Sequence, residues 1–126
     1  MMRIMLFGLL LTGLAGCSQM PTQQHLVEQA QWGALGERDG HQGKSAKTAD
    51  ELAHLANQYQ VVDADYEQYL SAYQQGVNVY CKEQDPYELG RQGRPYFGVC
   101  DDKDKGRFKL HWQRGRDKFL SPELPD

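Results

Sequence analysis

The feature that most constrains this chain is a stripe of ring and aliphatic residues, Tyr66, Tyr69, Leu70, Tyr73, Val77 and Tyr80, that leads directly to Cys81. Their spacings put all of them on one face of a helix. Such a face has to be buried, and each buried tyrosine hydroxyl then needs a hydrogen-bond partner. A row of tyrosines can also serve as a sugar-binding face, but this spacing is the ordinary pattern of a core. The fold class expected is therefore mainly α, a small domain of about four helices, with one long helix that ends at a cysteine.

The chain has 3 cysteines, and the first closes the segment MMRIMLFGLLLTGLAGC. There Arg3 precedes an apolar run from Ile4 to Leu14. A membrane-spanning helix needs about 20 residues, so the run suits a secretory signal instead. Leu14-Ala15-Gly16-Cys17 resembles the lipobox of bacterial lipoproteins. The resemblance implies a diacylglyceryl group on the Cys17 sulfur, cleavage before it and acylation of the new amino group. Ser18, where an aspartate would retain such a protein at the inner membrane, implies sorting to the periplasmic face of the outer membrane. An ordinary signal peptide with a chance cysteine is the alternative reading. The expected division is a signal over residues 1–16, a lipidated tether over 17–24, a single helical domain over 25–120 and a flexible tail over 121–126.

Lipidation of Cys17 leaves Cys81 and Cys100 as a pair, which an oxidising periplasm lets join. Two reduced thiols or a zinc site are the other options. Zinc would need further ligands, and His25, His41, His54 and His111 are scattered singly. No metal or other cofactor is expected. The net charge of -3 gives no argument for nucleic acid.

Residues 38–45, RDGHQGKS, end like a phosphate-binding loop, but Arg38 stands where its first glycine belongs and no strand-like run precedes it. A periplasmic domain meets essentially no nucleoside triphosphate, so no nucleotide is expected and these glycines belong to packing or turns. Gly33, Gly36, Gly40 and Gly43 either line one helix face or mark a helix that ends near Gly40. That helical pattern starts around Leu26, Val27 and Ala30 and runs toward Trp32 and Leu35. Thr48 and Glu51 form a capping box ahead of the stripe Leu52, Leu55, Ala56 and Tyr59, with His54 on the opposite face. Asp63 and Asp65 place negative charge at the start of the tyrosine helix.

Residues 82–98 carry prolines and glycines without periodicity and are expected to form a turn-rich loop pinned by the disulfide. Within it, Arg91 and Arg94 stand between Tyr87, Tyr96 and Phe97, a pattern suited to a carboxylate or phosphate. The alternative is solvated arginines with the aromatic rings plugging the core. After Asp101 and Asp102 a last helix carries Phe108, Trp112, Gly115 and Phe119, which repeats the spacing of Tyr69, Tyr73, Gly76 and Tyr80. The repeat suggests a shared device in which a glycine admits a neighbouring ring. This helix is basic, with Lys103, Lys105, Arg107, Lys109, Arg114, Arg116 and Lys118 against Asp104 and Asp117. Lipid phosphates or the acidic groups of peptidoglycan are suitable attractors, and a solvated basic face is the alternative.

The series Trp32, Gly36, Asp39-Gly40 and Gly43, then Tyr73, Gly76 and Tyr80-Cys81, then Tyr87, Gly90, Gly93, Tyr96, Gly98 and Cys100 resembles a family of bacterial lipoproteins known as domain of unknown function 2799. The resemblance spans about residues 32–115 and implies that the cysteines and glycines form one scaffold. It implies no catalytic residue.

The functional expectation is a non-catalytic binding or structural module of the cell envelope, held by its lipid, with an envelope protein or peptidoglycan as partner. One alternative is a small-ligand or wall-fragment binder using the Tyr87 to Tyr96 segment. Another is a cell-wall hydrolase using carboxylates such as Asp39, Glu83 or Asp85, although none of them stands in an apolar context that would raise its pKa.

Overall fold

The computed structural model describes residues 20–121. The expected signal peptide, the lipidated Cys17 and nearly all of the expected tail lie outside the described residues.

Most helices begin where the sequence supplies a cap. Thr22 accepts from the His25 N–H and opens α1 (Gln23–Glu28), whose first two residues fall within the expected tether. The Thr48 and Glu51 capping box opens α3 (Ala49–Gln58), and Asp65 opens α4 (Tyr66–Glu83). Between α1 and α3 lies α2 (Trp32–His41), which runs through Gly33, Gly36 and Gly40. The glycine stretch is thus helix as far as His41 and turn at Gly43.

Three segments differ from the sequence reading. The continuous pattern from Leu26 to Leu35 is two helices, parted where Ala30 adopts a φ of 53°. The turn-rich loop contains a helix of its own, α5 (Pro86–Arg91), started by Asp85 as cap and Pro86 in the first turn. The last helix is broken into α6 (Asp101–Asp104) and α7 (Arg107–Leu120) by consecutive left-handed residues, Lys105 and Gly106. Positive φ at both positions ends the helical ladder and lets the chain turn.

The architecture is one helix pair built twice. In the first copy α2 packs along α4, and in the second α5 packs along α7. Gly40 and Gly76 make the first contact possible: a Cβ at Gly40 would fall on the Tyr73 carbonyl, and one at Gly76 would lie 2.7 Å from the His41 N. In the second copy Gly90 meets the Trp112 carbonyl in the same way, and a Cβ at Gly115 would lie 2.8 Å from the Arg91 N. These glycines therefore admit a helix backbone, and the expectation that they admit a ring is corrected. The ring lies one turn further along, where Gly43 and Gly93, at φ of 67° and 71°, receive Tyr80 and Phe119. The copies match in polar detail too. Tyr73 donates to the Lys44 carbonyl at 2.7 Å, and the Trp112 Nε1 donates to the Arg94 carbonyl at 2.8 Å.

Most of the core lies on the first copy: Leu26, Val27, Trp32, Leu35, Leu52, Ala56, Tyr69, Tyr73 and Val77 form one buried cluster. Tyr80, Leu89, Cys100 and Phe108 form a smaller one beneath the second copy. Cys81 and Cys100 are joined by a disulfide that ties the end of α4 to the residue before α6. A small second core gains most from such a staple.

Candidate functional site

The most distinctive buried chemistry lies in the first helix pair. Asp39, on the α2 face that meets α4, is fully buried. Its Oδ2 accepts from the Tyr69 hydroxyl at 2.9 Å and from the Lys47 ammonium at 2.6 Å. The Lys47 N–H in turn donates to the Tyr69 oxygen. Burial pushes the Tyr69 hydroxyl far above the usual tyrosine range, and the negative charge of Asp39 adds to the rise. A phenol held in this way is a permanent donor at neutral pH, unsuited to accept a proton. At the matching place in the second copy Leu89 shares an apolar cluster with Phe108, so the same scaffold position is filled there without charge. The cluster ties α2 to α4 and to Lys47 in the segment before α3. Asp39 is removed from solvent, Asp85 caps α5, and Glu83 is exposed at the end of α4.

The expected binding residues of residues 82–98 fall into different surroundings. Tyr96 packs in a tilted arrangement at 4.9 Å from Phe108 and 5.9 Å from Trp112, donates to Asp101 and accepts from the Cys100 N–H. It thereby plugs the second core. Arg91 closes on Glu88 of its own helix through Nε at 2.9 Å and Nη2 at 2.5 Å. The bonds from Arg91 and Gln92 hold the Glu88 carboxyl down to about 2. Both side chains stand in solvent, where screening keeps such a pair weak. Arg94 serves Trp112 through its carbonyl, and its positive charge partly offsets the burial that raises the Tyr80 hydroxyl.

Tyr87 has a different role. It is 39 % exposed and borders a cleft of about 460 Å³ with Arg114, Asp117, Lys118 and Ser121 of α7 and its end. Its neighbours could not be read from linear order, because Arg114 reaches it only through the crossing of α5 and α7 at Gly115. Two cations of the basic last helix, Arg114 and Lys118, line this cleft together with its acid, Asp117. α7 has Arg107, Lys109, Arg114, Arg116 and Lys118 against the single acid Asp117. Arg116 lies over the Trp112 ring at 5.3 Å. Leu110, Phe119 and Leu120 are exposed on the same helix. An exposed tyrosine beside the Arg114 guanidinium is suited to an anionic group carried on a sugar or peptide, the ring taking the apolar face and the guanidinium the charge.

Among the described residues no group of histidine, cysteine or acidic side chains could hold a metal ion, and no helix is long and apolar enough to cross a membrane. The model of the family described as "Protein of unknown function (DUF2799)" matches residues 31–117, which takes in both helix pairs except the last residues of α7. No curated protein and no solved structure matches the chain.

Proposed function

We propose, from the premise that the chain belongs to the DUF2799 family, whose description assigns no activity, that it is a lipid-anchored, non-catalytic binding module on the periplasmic face of the outer membrane. The location is supported by the lipobox-like segment ending at Cys17 and by the Cys81–Cys100 bond, which suits an oxidising compartment and leaves Cys17 as the odd cysteine. The partner proposed is peptidoglycan, through its free carboxylates. The observation that carries this choice is the cleft where Tyr87 meets Arg114 on the most basic helix of an otherwise acidic protein.

Co-sedimentation with purified peptidoglycan tests the reading. Wild type pellets with the wall material, and binding falls as salt rises because the contact is between exposed charges. Arg114→Glu removes most of it. Equal pelleting of wild type and Arg114→Glu at low and high salt refutes peptidoglycan as the partner at this cleft. Labelled palmitate incorporation into wild type and its absence in Cys17→Ala tests the anchor separately.

A further inference from the structure

A second cavity, of about 260 Å³, lies between α1 and α2 at the end of the molecule where the described chain begins. Met20, Pro21, Leu26 and Ala34 give it an apolar wall, and Glu37, Arg38 and His41 give it a polar rim. The Nη1 of Arg38 is buried and has no hydrogen-bond partner. That nitrogen is enclosed by protein, so a ligand in the cavity meets Arg38 through the rest of its guanidinium, which lines the rim. The two rim charges are not spent on each other, since no ion pair joins Glu37 to Arg38 among the described residues.

We propose that this cavity binds a membrane phospholipid with a zwitterionic head group. The phosphate meets the Arg38 guanidinium, the ammonium meets the Glu37 carboxylate, and the start of one acyl chain lies against Met20, Leu26 and Ala34. The two charges explain the choice of ligand. A purely anionic head would satisfy Arg38 but face Glu37, whereas an ammonium next to a phosphate complements both. The position explains the source. Met20 borders the cavity and follows Cys17 by three residues, a chain length that spans at most about 11 Å. The inference rests on the lipid anchor for this proximity. The chemistry of the pocket is independent of it.

The test uses the full chain reconstituted in phosphatidylglycerol vesicles that contain a trace of phosphatidylethanolamine bearing a photoreactive acyl chain near its head group. Photoreactive diacylglycerol is the control. After illumination, mass spectrometry locates the adducts and also reports whether Cys17 is acylated. The expected result is labelling of the α1 to α2 peptide by the phosphatidylethanolamine probe and not by diacylglycerol. Loss of a charge-assisted contact lowers it about tenfold or more in Arg38→Gln. Ala34→Phe, a substitution at an exposed position that narrows the cavity, lowers it without touching the charges. Equal labelling by both probes, or unchanged labelling in both variants, overturns the proposal. An acylated chain with no adduct in the cavity overturns it and leaves the anchor standing. A non-acylated chain with the specific adduct upholds the cavity and refutes the anchor.

Discussion

Gly40→Ala adds one methyl group at the tightest seam of the first helix pair. The new Cβ would fall on the Tyr73 carbonyl, 2.8 Å from the Val77 N and 3.1 Å from the Gly76 carbonyl carbon. All are helix backbone atoms, which cannot rotate away, so α2 and α4 must part by roughly 0.5–1 Å, a gap that forfeits a quarter to a half of the dispersion attraction across it. Leu35, Tyr69, Tyr73 and Val77 are the buried side chains that feel it. At about 2 kcal/mol of burial each, their loss comes to about 2–4 kcal/mol. Alanine returns up to about 1 kcal/mol through its helix propensity, so the net destabilisation is about 1–3 kcal/mol. Gly33→Ala, in the same helix, is the control. Its Cβ would meet only the Gln68 side chain, at 3.3 Å from Cγ, which can swing aside. There the propensity gain wins, and the protein becomes slightly more stable. Guanidinium chloride unfolding followed by tryptophan fluorescence, with the disulfide intact, measures both. If Gly40→Ala is as stable as wild type, or if both substitutions shift stability in the same direction, the backbone-contact account of these glycines is wrong.

Asp39→Leu alone leaves the Lys47 ammonium and the Tyr69 hydroxyl without their shared acceptor and costs about 3 kcal/mol or more. The triple change Asp39→Leu, Lys47→Met and Tyr69→Phe, which imitates the apolar second copy, recovers most of that loss in the same unfolding assay. Replacing Cys81 and Cys100 together by serine opens a closed loop with a sequence separation of 19 and lowers stability by about 3 kcal/mol on the chain-entropy estimate, read from the unfolding midpoint against wild type. Burial raises the hydroxyls of Tyr69, Tyr73, Tyr80 and Tyr96 above the ordinary tyrosine value of 10.0. A raised folded-state pKa stabilises the fold below the unfolded value and loses that contribution as pH climbs past it, so stability falls above pH 10. Tyrosinate absorbance from these residues appears together with the loss of circular dichroism. Full tyrosinate formation in a still-folded protein would contradict the burial.

The elements that the sequence determined by itself are those whose cause lies within one or two helical turns. The capping box at Thr48 and Glu51, the Asp65 start of α4 and the periodic burial of Tyr69, Tyr73, Val77 and Tyr80 depend on neighbours three and four residues away. The cysteine pair was legible because the lipobox-like segment set Cys17 apart from Cys81 and Cys100. The start of α5 was equally local, since Asp85, Pro86 and Glu88 form a cap, a first-turn proline and an acidic first turn. The glycines around them concealed it. The second copy of the helix pair left a trace as well, Gly40-His41-Gln42-Gly43-Lys44 against Gly90-Arg91-Gln92-Gly93-Arg94. α3 fills the connection in one copy and α6 in the other, so the matching halves stand at unequal separations along the chain.

How the glycines are used, where Asp39 finds its partners and which side chains share a surface depend on the packing of distant segments. That packing separated Tyr96, Arg91 and Arg94 and set Tyr87 beside Arg114. The physical reason is the range of the interactions. A cap or an apolar stripe is complete within its own helix, whereas the absence of a Cβ has meaning only when another backbone approaches. A buried carboxylate can likewise be judged only once the donors brought to it from distant parts of the chain are in place.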